Sequence, residues 1–169
     1  MVQIVAVFTS IAFAGVIFVV MGLVFFGGGD ASMAEQQVSD AKSRVQSEPQ
    51  SADAWEELAS AYAADENFTE AITAARKASA LDPNSFRRLQ TLVSLQIREN
   101  KTDDAIVVVQ KYTAAHPKDA EALLQLGQLA QTAGRTSLAR LSYQAFLNLA
   151  PDDPSADAVK EQIKQLDQS

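Results

Sequence analysis

The sequence predicts an all-α chain: an N-terminal transmembrane helix, then three helix-turn-helix repeats, then a C-terminal capping helix. Three observations predict it. Residues 1–29 contain no Asp, Glu, Lys or Arg, although the chain carries a net charge of −7. Pro49, Pro83, Pro117 and Pro151 fall 34 residues apart. Between them, apolar residues recur at helical spacing.

The charge-free stretch defines the first element. From Val2 to Phe26 it holds sixteen Val, Ile, Leu or Phe residues. That run exceeds the roughly 20 residues that span a bilayer core. At about −0.3 to −0.6 kcal/mol each, these residues favour insertion by roughly 5–10 kcal/mol. A membrane helix is therefore expected at 3–26, within an anchor at 1–29, and the lipid bilayer is its expected surrounding. The alternative is a cleaved signal peptide, for which Ser32-Met33-Ala34 offers small residues. Against it stand the length of the run and the lack of a preceding Lys or Arg. Ala6, Ser10 and Ala14 form a small-residue ridge at i, i+4 spacing, a candidate contact face for a second membrane helix. These features together predict a single-pass protein of the bacterial inner membrane. The side of the repeats stays open: Lys42 and Arg44 point weakly to the cytoplasm, and zero cysteines fit either compartment.

Residues 30–51 are expected to form a linker and an N-terminal capping helix, with Ala34, Val38, Ala41 and Val45 along one stripe. Three units follow at 52–85, 86–119 and 120–153. Trp55, Leu89 and Leu123 share one phase, Leu58, Leu92 and Leu126 a second, and Ala71, Ala105 and Ala139 a third. The turns inside the units fall at Asp65-Glu66-Asn67, Asn100-Lys101 and Gly134-Arg135, where Asn or Gly can adopt the left-handed conformation that ends a helix. The prolines close each unit, because the residue before proline avoids the helical region. From 154, Ala158, Val159, Ile163 and Leu166 predict a capping helix over 154–169, with Asp153 as its cap and Pro154 in its first turn.

This pattern resembles the tetratricopeptide repeat family. The first unit carries Trp55, Leu58-Ala59, Tyr62, Ala71, Ala78 and Pro83, and the third carries Leu126-Gly127, Ala139, Tyr143 and Pro151. The second departs from it: Gln96 replaces the expected aromatic, and Val93 stands where a close helix contact wants a small side chain, which predicts looser or shifted packing. The resemblance implies a right-handed superhelix whose concave face, lined by the first helix of each unit, binds an extended peptide or a partner helix.

By phase, that face offers Asp53, Glu56 and Ser60, then Arg87, Gln90, Ser94 and Arg98, then Glu121, Leu124, Gln128 and Gln131. Arg87 and Arg98 are candidate partners for carboxylates or carbonyls, since guanidinium forms bidentate contacts; as plain solvated charges they would balance Glu99, Asp103 and Asp104. Family members that clamp a chaperone C-terminal carboxylate use Lys, Asn and Arg. The matching positions here carry Glu56, Ser60, Thr91, Glu121 and Gln125, which argues against that activity.

No catalytic residue, metal site or cofactor is expected. The chain has one His and no Cys, and no metal-ligand spacing, phosphate loop or nucleophile elbow. His116 reads as a turn residue, and Gly27-Gly28-Gly29 as a flexible exit from the membrane. The acidic balance excludes a nucleic-acid face. The expected function is a membrane-anchored scaffold or assembly factor with a protein partner in the groove. The alternatives are a periplasmic holdase of the cytochrome c maturation or secretion type and a structural subunit of a respiratory or photosynthetic complex.

Overall fold

A computed structural model describes residues 29–168 as eight helices. They are α1 (Gly29–Ser47), α2 (Ala52–Ala64), α3 (Phe68–Leu81), α4 (Phe86–Arg98), α5 (Thr102–Ala115), α6 (Ala120–Thr132), α7 (Thr136–Leu149) and α8 (Ala156–Leu166). Each helix packs mainly on its neighbours in sequence, giving a stack of hairpins with a tetratricopeptide-like superhelical arrangement.

Two expectations are corrected here. The predicted fold class included a transmembrane helix and the predicted localisation was a single-pass membrane protein. Among the described residues, no helix is long and apolar enough to cross a membrane. The first of them, α1, carries Glu35, Asp40, Lys42 and Arg44, and charges at a bilayer centre cost about 2.5–3.5 kcal/mol each on insertion scales. The span expected at 3–26 and its ridge of Ala6, Ser10 and Ala14 lie outside the described residues.

The same local chemistry starts and stops each hairpin. Ser51, Ser85 and Asp119, one period apart, cap α2, α4 and α6 by accepting the backbone N–H of Ala54, Arg88 and Ala122 at 3.2, 3.4 and 3.0 Å. Inside the hairpins, Glu66, Asn100 and Gly134 adopt positive φ of 56°, 58° and 69°. The next residue then donates back to the last turn: Asn67 to Tyr62 O, Lys101 to Gln96 O and Arg135 to Ala130 O, at 2.7–2.8 Å. Asn100 and Gly134 suit this conformation. Glu66 adopts it with a side chain that does not favour it.

The core divides into three clusters along the stack. The first joins Val38, Ala41 and Val45 of α1 to Ala54, Leu58, Ala71 and Ala75. The second centres on Val93, Ile106 and Val109, and the third on Tyr143, Phe146 and Val159. Val93 is fully buried, and the hairpin holding it is the least closely apposed of the three. Two valines at positions where the first unit has Ala59 and Ala75 need more room between helix axes.

The C-terminal end departs from the sequence reading in detail. Helix α8 begins at Ala156, and Asp153 accepts from Ser155 N at 2.8 Å in the preceding turn instead of capping the helix. Val159, Ile163 and Leu166 pack inward. Ala156 is buried, whereas Ala158 is exposed.

Candidate functional site: the face shared by the first helices

Of the residues that helical phase assigns to the first-helix face, the structure brings together Glu56 of α2 with Arg87 of α4, Gln90 of α4 with Glu121 of α6, and Leu124 with Gln128 of α6. Side chains bridge the helices across this face. Arg87 holds Glu56 in a bidentate pair, with Nη1 to Oε1 at 2.8 Å and Nη2 to Oε2 at 3.1 Å. One period on, Gln90 Nε2 donates to Glu121 Oε1 at 2.8 Å. Position for position, the first-helix residue of one unit grips the first-helix residue of the next.

Arg88, not singled out in the sequence, is the hub of this network. Its guanidinium donates to Glu56, to Asp53 Oδ1 at 2.5 Å and to Asp82 Oδ2 at 3.0 Å. Its side chain is 11% exposed, against 69% for Arg87. The Arg88 hydrogen bond holds the Asp53 carboxyl below its ordinary range, and the bond to Asp53 raises Arg88 in return, against the effect of burial. Only the packing of α4 on α2 and the turn at Asp82 brings three carboxylates to Arg88.

Arg98 does not join that network. Its guanidinium lies over the Phe68 ring, 4.3 Å from the centroid, a cation–π contact to the second helix of the preceding unit. Ser94 Oγ donates to Gln90 O at 2.8 Å. His116 stacks on Tyr112, with ring centroids 4.2 Å apart, and its Nε2 lies 3.0 Å from Asn84 Oδ1. Tyr112 Oη lies 3.2 Å from Asn84 O and 3.1 Å from Asp119 Oδ2. Burial, followed by the neighbouring Asp119, pushes the Tyr112 phenol up to about 12. These groups join successive turns of the stack. Among the described residues, no group of three or more His, Cys, Asp or Glu is placed to hold a metal ion.

Two models of the tetratricopeptide repeat match the chain, one at residues 20–86 and one at residues 92–164. The chain belongs to the tetratricopeptide repeat family. Solved structures agree on the fold. The first TPR domain of Spaghetti (RPAP3), bound to the HSP90 peptide SRMEEVD, matches with TM-score 0.54 at 19% identity, over 70% of this chain and 92% of that one. A MamA protein crystal structure matches with TM-score 0.55 at 16% identity, over 87% of each chain. The Sgt2 TPR domain of Aspergillus fumigatus matches with TM-score 0.53 at 15% identity, over 70% and 82%. A comparison with curated protein sequences finds no significant match.

Along this tetratricopeptide face, the carboxylate-clamp positions are occupied by groups that repel or ignore an anion. Glu56 is engaged by two arginines, and Glu121 accepts from Gln90. The face then changes character at its C-terminal end. Leu124, Gln128 and Gln131 meet Tyr143 of α7 and Pro154, Ala158, Val159 and Gln162 at the start of α8 around an open cavity of about 590 Å3. Gln131 is fixed there, accepting from Tyr143 Oη at 2.7 Å and donating to Gln162 Oε1 at 2.5 Å. The α8 wall was not anticipated as part of the face. Its signal in the sequence was Leu124, an aliphatic residue among polar ones.

Proposed function

We propose that the chain is a protein-interaction module that holds an extended segment of a partner protein along the shared face of α2, α4 and α6. The observation that carries this reading is the continuity of the face: inter-unit bridges align three successive first helices into one surface, which ends in an open cavity. Arg87, Gln90, Ser94, Arg98, Leu124, Gln128 and Gln131 are the residues assigned to it. The Spaghetti domain of the same fold, whose structure contains a peptide, supports a peptide as the occupant. The acidic groups at Glu56 and Glu121 make a C-terminal carboxylate a poor fit to this chain.

Arg87 and Arg98 carry less of this role than their charge suggests. A partner carboxylate would have to displace Glu56 from Arg87 and leave Arg98 beside Phe68, so most of the contact falls to the polar and aliphatic groups further along.

The test is affinity capture by the full-length chain, with partners identified by mass spectrometry. A partner retained by wild type and by Lys111→Glu on the exposed side of α5, and lost from Ser94→Arg, is the expected result. A partner kept by Ser94→Arg and lost from Lys111→Glu would move the function to the other surface.

A further inference from the structure

The units repeat their polar bridge twice and then break it. Glu56 and Arg87 form the first link, and Gln90 and Glu121, one period later, the second. The third pair in this register is Leu124 and Ser155. Leucine has no donor or acceptor, so this pair forms no bridge; the last unit and α8 are linked instead further along by Gln131 and Gln162, and the cavity stands at that boundary with Leu124 and Ser155 in its lining.

The chemistry of the lining is unlike the rest of the face. Leu124, Pro154, Ala158 and Val159 supply apolar walls, and no Asp, Glu, Lys or Arg contributes to them, in a chain whose net charge is −7. Burying an unpaired charge against such walls is unfavourable. Gln131 is already engaged at both ends of its amide, whereas the Gln128 amide and Gln162 Nε2 have no hydrogen-bond partner among the described residues. An apolar floor flanked by unengaged amides suits a peptide side chain below and its backbone groups above.

We infer that the cavity between α6 and α8 is the specificity pocket of the face, and that it takes an uncharged aliphatic or aromatic side chain of an extended partner peptide. The capping helix therefore forms part of the binding surface as well as closing the core. This inference rests on the proposed peptide-binding role.

The test is selection of short random peptides displayed on phage against the full-length chain, followed by fluorescence-anisotropy titration of the selected peptides. Selected peptides share an uncharged bulky residue, and their binding weakens by roughly tenfold or more in Ala158→Glu and in Gln128→Glu, both at exposed positions that leave the core intact. Lys111→Glu, on the exposed side of α5, leaves it within about twofold. Binders rich in acidic residues, weakened by Arg87→Ala and indifferent to Ala158→Glu, would overturn the pocket and leave the peptide-binding role standing. Binders indifferent to Ala158→Glu, Gln128→Glu, Arg87→Ala and Ser94→Arg would overturn both.

Discussion

A Cβ placed on Gly127 would lie 2.4 Å from Cδ1 and Cε1 of the Tyr143 ring. Gly127 of α6 and Tyr143 of α7 occupy the register positions held by Ala59 and Ala75 in the first unit and by Val93 and Val109 in the second. The family's small residue is thus reduced to none where its opposite number is largest. Gly127→Ala is expected to destabilise the chain by about 1–3 kcal/mol, since the ring is fully buried and cannot swing away. Urea unfolding checks this, and in a double-mutant cycle the cost should shrink when Tyr143 is cut to Ala. An additive cycle would show that the two residues do not constrain each other.

Arg88 and Arg87 differ in exposure and should differ in consequence. Arg88→Ala leaves Asp53, Glu56 and Asp82 without their shared donor in a partly buried site, with an expected loss of about 2 kcal/mol. Arg87→Ala removes an exposed pair and should cost less than about 1 kcal/mol. Equal losses in denaturant titrations would contradict the hub.

The same network sets a pH dependence. The Asp53 carboxyl is lowered from 3.8 by the Arg88 hydrogen bond, so the folded state binds its proton less readily than the unfolded state does. Its stabilisation is complete above the unfolded value and is lost as pH falls through the folded one. Asp53→Asn should therefore flatten the acid limb of the stability profile between pH 5 and the folded value. An unchanged slope in thermal melts would remove Asp53 from the network.

Gln96 is 1% exposed, and its Oε1 has no hydrogen-bond partner. Gln96→Leu should stabilise the chain by about 1–2 kcal/mol by removing an unpaired buried acceptor. A loss of stability in calorimetry would indicate that the amide is satisfied by water.

Glu66 holds φ 56° where Asn100 and Gly134 hold the same turn in later units. Glu66→Gly should raise stability by about 0.5–1 kcal/mol, because a left-handed residue with a Cβ is disfavoured. A neutral or negative effect in chemical denaturation would show that chain entropy offsets the relief.

The helical class, the 34-residue period and the unit-closing prolines were legible in the sequence, because helical phase and proline geometry are local rules repeated at fixed spacing. Asn100 and Gly134 could be read as turn residues for the same reason, while Glu66 could not, since its conformation is imposed by the hairpin around it. The apolar run at 3–26 predicted a membrane helix on hydropathy alone; none of the described helices can fill that role. Which side chains on the face are free was decided by tertiary structure alone. Arg87 is taken by Glu56, Arg98 leans on Phe68, and Arg88 gathers three carboxylates, because hydrogen bonds between units depend on how α4 settles against α2. Leu124 and Val159 lie 35 residues apart and meet at one cavity only because α8 packs back on the last hairpin. Periodicity determines what each helix presents, and packing determines what remains for a partner.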